Sequence, residues 1–371
     1  MTYKLYFTLD YEIHGNGDGN PIDLMVEPTY RLMDMLEQYN QRLTIMADVA
    51  EILCFRRYRD NTGKDDFYVA EIEQQLCDAI RRGHDVQLHI HSSYFNAQWN
   101  GARFDQCIEE YNMAALPCER VRDMVGQCVD YLETLLKPIK SDYKVWLYRA
   151  ANWSMMPTPV LYKVLTEFGI THDTSVYKGG CQGGNVCYDY RHAYDNLLSY
   201  RASLQDINCY DPHGQIIEMP IYTEMRPFWD FISPIRIFRM VRAKFHKHKH
   251  NTQQEQNTTT TIADKNDNRH LSLRSFFMKS PLKMDFNQVN ARGLKRMMKN
   301  IMRRAKLEHL SHVDIVLIGH SKTFVPYNER TLRPFLKWVE KIVDKSVCPS
   351  NANPSNDLKD NDIRRYRTLK N

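Results

Sequence analysis

The chain has 371 residues, of which 43% are hydrophobic and 26% charged, and a formal net charge of +5. This is the balance of a globular protein long enough for one large domain or two modest ones. No run approaches the roughly 18 uninterrupted apolar residues of a membrane span, which excludes a helical membrane protein by composition.

Strand-like and helix-like patterns alternate along the chain. YKLYFTLDY reads as a short β run, followed by the Gly-rich loop HGNGDGNPID and a helix over EPTYRLMDMLEQYN, with Pro28 near its first turn. RLTIMADV is the next strand, and VAEIEQQLCDAIRRG a helix that Gly83 is placed to end. HDVQLHIH is a third strand. RVRDMVGQCVDYLETLLK reads as a helix, VWLYRA as a strand, and TPVLYKVLTEFG as a helix stopped by Gly169. ITHDTSV and HVDIVLIGH are further strands, the latter followed by a helix over TLRPFLKWVEKIV. Repeated β–α units with apolar strands predict a parallel sheet, open or closed.

Charge is unevenly placed. Residues 231–310 hold 18 Lys/Arg against 5 Asp/Glu, while the remaining 32 basic and 40 acidic residues leave the rest of the chain acidic. Residues 226–275 therefore read as a basic, partly disordered insertion, and 349–371 as a flexible polar tail. The tract HKHKH reads as a solvated basic segment. The apolar and basic stretch 228–250 is suited to a peripheral membrane contact; no nucleic-acid partner is expected, because no nucleic-acid-binding signature accompanies the charge. Residue 1 leads straight into KLYFTLDYE without a secretory leader, so the chain is expected to be cytoplasmic, with its nine cysteines reduced.

Parallel β/α folds collect ligands at the carboxyl ends of their strands. Here those ends carry Asp10-Tyr11-Glu12, His89-Ile90-His91, Arg149 with Trp153 following, and His320. His89 and His91, two apart, share a face of their strand. Alone they are a metal site or core histidines; a carboxylate on a neighbouring strand end favours the ion. Two imidazoles and a carboxylate leave coordination positions open, as in a catalytic zinc or similar divalent site. Asp10 and Glu12 also share a face, so one can ligate while the other acts as base. Arg149 at a strand end needs an anionic partner, most economically Asp10, and His320 is placed to serve as acid or base. His84, after the helix-ending glycine, is assigned to a turn, and His14 to a loop.

Taken together, FTLDYEIHGNGDG, GHDVQLHIHSSYFNAQWNG, LYRAANWSMMPTPVLYKVLTEFGITHDTSV and LIGHSKTF resemble, in order, the polysaccharide deacetylase family. The likeness covers about 5–225 and 280–345 and looks closest to the branch found among cell-surface polysaccharide genes, with a D-x-E start and H-x-H. It implies a distorted (β/α) barrel of about seven parallel strands over 1–225 and 276–348, and a divalent metal, zinc by ligand type. It also implies hydrolysis of an acetyl group from an amino-sugar glycan. Carried over, Asp10 is the catalytic base, Glu12 and His89 are metal ligands, Arg149 orients the base and His320 is the general acid. Ser93 stands where the family has its second histidine, so His91 supplies that imidazole. Trp153, Tyr94 and Trp99 are candidate sugar-binding aromatics, Asp173 a further site candidate and Glu218 a weaker one. A catalytically silent, glycan-binding member of the same fold is the alternative.

Overall fold

A computed structural model describes residues 1–13, 19–227 and 279–343. The segment 228–250, the HKHKH tract, His14 and the tail lie outside the described residues. The chain divides into two compact units, one of Met1–Thr223 with the chain from Lys283 onward, the other Glu224–Leu282. In the second, the described ends belong to two strands, Thr223–Pro227 and Lys279–Lys283, that pair with each other.

The first unit is built on one eight-stranded sheet. Its strands are β1 (Thr2–Tyr11), β2 (Leu43–Asp48), β3 (Asp85–Ile90), β4 (Leu147–Ala150), β5 (His172–Asp173), β6 (Tyr200–Arg201), β7 (Ile217–Glu218) and β8 (His312–His320). Their spatial order is β6-β7-β5-β4-β3-β2-β1-β8. Every neighbouring pair is parallel except β6–β7, so seven strands run in parallel, as expected for a distorted barrel. The seam is narrowed by parallel bridges from β8 to single residues, Ile221 to Val316 and Asp285 to Ile318.

Among the described residues, seven α-helices accompany the sheet: α1 (Glu27–Glu37), α2 (Val49–Thr62), α3 (Val69–Arg81), α4 (Cys118–Leu136), α5 (Thr158–Glu167), α6 (Ala291–Leu307) and α7 (Pro326–Val339). Gly83, in the left-handed region at φ 77°, turns the chain out of α3 into β3. Two helices, α2 and α6, have no counterpart in the sequence reading. In α2, Val49 to Ile52, Cys54 and Phe55 are all buried, so no apolar stripe stands out. In α6 a sound stripe of Leu294, Met297, Met298, Ile301 and Ala305 is obscured by the lysines and arginines between. The strand read over ITHDTSV shortens to His172–Asp173, and beyond it Thr174 and Ser175 bond through their hydroxyls, Thr174 to the Met219 carbonyl at 2.8 Å and Ser175 to Asp173 Oδ1 at 2.7 Å. No helix among the described residues is long and apolar enough to cross a membrane.

Alternation decides what faces inward. Tyr6, Val316, Ile318, Ile217, Met219 and Ile221 form one buried cluster. Two and four residues on from Tyr6 come Thr8 and Asp10, and two on from Ile318 comes His320, on the same face. In β3 the face that ends in His89 and His91 begins with Asp85 and Gln87, while Val86, Leu88 and Ile90 point the other way, all of them buried.

Candidate metal and catalytic site

Parallel register sets the site. Asp10 pairs with His320 across β1–β8, and His89 lies between Asp48 of β2 and Arg149 of β4. The strand ends therefore bring carboxylates, imidazoles and a guanidinium together inside the barrel.

Arg149 is fully buried and has no solvent to carry its charge. It donates from Nη1 to Asp10 Oδ1 at 2.6 Å, from Nη2 to Thr8 Oγ1 at 2.7 Å, and from Nε to the Thr174 carbonyl at 3.0 Å. Burial pushes the Asp10 carboxyl up, but Arg149, then His320 and His89, outweigh it and hold Asp10 below the usual carboxylate range. The other Asp10 oxygen, Oδ2, is 3.5 Å from His320 Nε2. His320 is held by its backbone: its N–H donates to Asn287 Oδ1 at 3.1 Å, and Asn287 Nδ2 donates to its carbonyl at 3.0 Å. Gly319 makes room for that clamp, since a Cβ there would stand 2.3 Å from Asn287 Oδ1 and 2.1 Å from the Phe286 ring.

Glu12, His89 and His91 form the second group, all three buried, with ligand-type atoms within 4.8 Å of one another. Glu12 Oε2 lies 2.7 Å from His91 Nε2 and 3.3 Å from His89 Nε2, and Lys322 Nζ reaches Glu12 Oε1 at 2.9 Å. His89 Nδ1 is 2.8 Å from the Arg149 carbonyl oxygen. That oxygen can only accept, so Nδ1 carries the proton and a neutral ring turns its Nε2 lone pair toward Glu12. Two acceptors facing each other in a buried site need a proton or a cation between them. Burial opposes charge on His89, yet Glu12, Asp10 and Asp48 outweigh it and push its pKa up to about 9. Burial likewise raises Glu12, and His91, Lys322 and the imidazole hydrogen bonds overcome it, holding the carboxyl well below its ordinary range. This donor set, in a field that favours positive charge, fits a divalent metal.

Among the other sequence candidates, Trp153 joins the site. Its ring stands 6.1 Å from His320 and 5.9 Å from the Arg149 guanidinium. The turn that aims it is strained: Asn152 and Trp153 both have positive φ, at 51° and 66°. Asp173 is fully buried behind Arg149, accepting from the Ser175 hydroxyl at 2.7 Å, while that hydroxyl accepts from Ala150 N at 2.8 Å. Its neighbour Glu218, also fully buried, has its carboxyl pushed well up by burial and by Asp173. Tyr94 is fully buried. Trp99 is partly exposed and packs with Tyr58, Phe67 and Phe104 rather than with the Asp10–Glu12 group. Ser93, where the resemblance misses a histidine, donates to Gln106 Oε1 at 2.7 Å.

Sequence reading missed several residues of the site. Asp48 ends β2, accepts from His91 N at 3.0 Å and leaves Oδ2 buried with no hydrogen-bond partner; the strand-end rule that found Asp10 would have found it. Lys322, Lys283, Asp285 and Asn287 carried no such signal, being placed by the seam of the barrel.

No protein-family model matches the sequence, and no curated protein does. Solved structures do match. A protein from Parabacteroides distasonis assigned as a glycoside hydrolase/deacetylase aligns with a TM-score of 0.51 at 10% identity, over 92% of this chain and 66% of that one. A protein from Mycobacterium smegmatis assigned as a polysaccharide deacetylase aligns over 94% of this chain and 87% of its own, with a TM-score of 0.46 at 15% identity. One of the same assignment from Pseudomonas aeruginosa aligns over 96% and 90%, with a TM-score of 0.45 at 12% identity. At these identities the likeness concerns architecture alone. The chain has a largely parallel, barrel-like α/β fold, and its structural neighbours include polysaccharide deacetylases.

Proposed function

We propose that the protein is a divalent-metal-dependent hydrolase that removes an acetyl group, as an N-acetyl, from an amino sugar of a cell-surface polysaccharide or its lipid-linked precursor. The observation that carries this reading is the Glu12–His89–His91 group set beside an Asp10 held ionised by Arg149 and next to His320. Glu12 Oε2 and the two Nε2 atoms would hold the metal, and two imidazoles with one carboxylate suit zinc. A divalent cation there supplies Lewis-acid polarisation of the acetyl carbonyl and acidifies water. Asp10 takes a proton from the attacking water, with Arg149 fixing the carboxylate and keeping it ionised and ready to accept. His320 gives a proton to the departing amine as the C–N bond breaks, so water and amide become acetate and free amine. Trp153 walls the sugar, and the stretch 228–250 brings the enzyme to a membrane surface. Acetate release from acetylated amino sugars, measured before and after chelation and after zinc is restored, tests this. Loss and recovery of release is expected; release indifferent to the chelator overturns it.

The Lys322–Glu12 pair favours a second reading. An ammonium that already neutralises the glutamate suits a silent glycan-binding protein. Glycan binding retained without stoichiometric divalent metal would favour that role.

A further inference from the structure

Among the described residues, three side-chain cations approach the site, and two are spoken for. Arg149 serves Asp10, Thr8 and Thr174, and Lys322 serves Glu12. The third is Lys283. Its Nζ lies 3.9 Å from the centroid of the Trp153 ring and 4.5 Å from that of Tyr177, and the two rings meet edge to face at 5.8 Å. Among the described residues its ammonium makes no ion pair and no hydrogen bond. The nearest acid in sequence, Asp285, turns Oδ1 to the backbone N–H groups of Asn287 and Gln288 at 2.8 and 3.0 Å, and its Oδ2 is buried without a hydrogen-bond partner among the described residues, attracting Lys283 through space but not bonding it.

Rings attract an ammonium through their faces but offer no acceptor, so among the described residues its three N–H donors meet no protein acceptor and are left to water. Burial pushes the Lys283 amine down to about 8, against the pull of Asp285 and Asp10, which leaves it a cation at neutral pH. The same Trp153 ring that holds Lys283 also stands beside His320 and Arg149. A sugar stacked on Trp153 with its acetyl at Asp10 would bring a neighbouring substituent to Lys283.

We propose that Lys283, caged by Trp153 and Tyr177, is a subsite for an anionic substituent, carboxylate or phosphate, on the sugar that Asp10 and His320 act upon. This rests on the hydrolase reading and narrows its substrate to an acidic amino sugar. A charged hydrogen-bonded pair displacing water from an ammonium supports a preference of about tenfold or more over a neutral sugar.

The test compares binding of N-acetylglucosamine, N-acetylglucosamine 6-phosphate and N-acetylmuramic acid by titration calorimetry, with acetate release followed in parallel. Wild type is expected to bind at least one acidic probe about tenfold more tightly than the neutral one, and which probe gains identifies phosphate or carboxylate. Lys283→Met should erase that preference while sparing the neutral probe, and Lys283→Arg should restore part of it; melting temperatures confirm that both variants fold. No acidic preference in wild type, or its survival in Lys283→Met, overturns the subsite. If the preference behaves as expected but no probe yields acetate, the hydrolase reading fails and the anion subsite stands. Acetate release without charge preference removes the subsite and leaves the hydrolase reading standing.

Discussion

The two ends of β3 bury polar groups to opposite effect. At its start, each is matched by hydrogen-bond partners, nearly all of them neutral N–H groups, with the carboxylate of Glu37 beside His84 itself paired to Arg82 at 2.9 Å. Asp85 accepts from Val86 N at 3.0 Å, Gln87 Nε2 at 3.2 Å and Trp146 Nε1 at 3.3 Å. Gln87 Oε1 accepts from the N–H groups of Trp146 and Leu147. His84 Nδ1 accepts from Leu43 N at 2.9 Å, while its Nε2 lies 2.8 Å from Glu37. These bonds tie the beginnings of β2, β3 and β4 together and complete themselves. At the far end, His89 and His91 face Glu12, and Arg149 faces Asp10, so opposite charges meet there and the facing acceptors call for a proton or a cation. Satisfied polar atoms build structure; facing acceptors and buried ion pairs equip a site for chemistry.

Breaking the charged end should have the largest effects. Asp10→Asn and His320→Gln should each lower kcat by about 100-fold or more, the scale of a lost general base or acid, while metal content stays unchanged; metal loss in either would reassign that residue as a ligand. Arg149→Met leaves Asp10 buried and uncompensated, and should cost about 3–5 kcal/mol in urea denaturation. Adding Asp10→Asn should recover part of that loss; strict additivity would show that the two do not act as a pair.

At the neutral end the expected effect is a pH dependence. Burial drives His84 down to about 4, against its pull toward Glu37, from an unfolded value of 6.5. The unfolded chain therefore binds more protons between about pH 4 and 6.5, and stability rises with pH through that window, by on the order of 3 kcal/mol. Urea midpoints taken from pH 4 to 7 for wild type and His84→Gln should differ in slope there and run parallel above pH 7. Identical slopes would mean that His84 charges freely in the folded state. The smallest effect belongs to the exposed surface: Arg122 and Glu167 meet at 2.8 Å with both side chains over a third exposed, and Arg122→Ala should leave the urea midpoint close to that of wild type.

Much of this was legible in the sequence. Period-two alternation placed Asp10 with Glu12 and His89 with His91, and a parallel sheet carried those ends to one place. Spacing could not supply register: that Asp10 pairs with His320, or that Asp48 flanks His89, depends on which strands are neighbours. His84 shows the same limit. It follows a helix-ending glycine and reads as part of a turn, yet it is buried and ties the start of β2 to α1, because Leu43 and Glu37 come within reach only in the folded sheet. Lys283 was harder still, since its partners are the rings of two residues more than a hundred positions earlier.

Zinc content is the most direct test of the centre. Wild type, Glu12→Gln and His91→Ala should be dialysed against zinc and analysed side by side. The expected result is one zinc per wild-type chain and a loss in both variants exceeding the roughly 10–100-fold drop in affinity that removal of an outer-shell partner brings. Wild type without zinc, or full occupancy in both variants, would contradict a metal held by Glu12, His89 and His91.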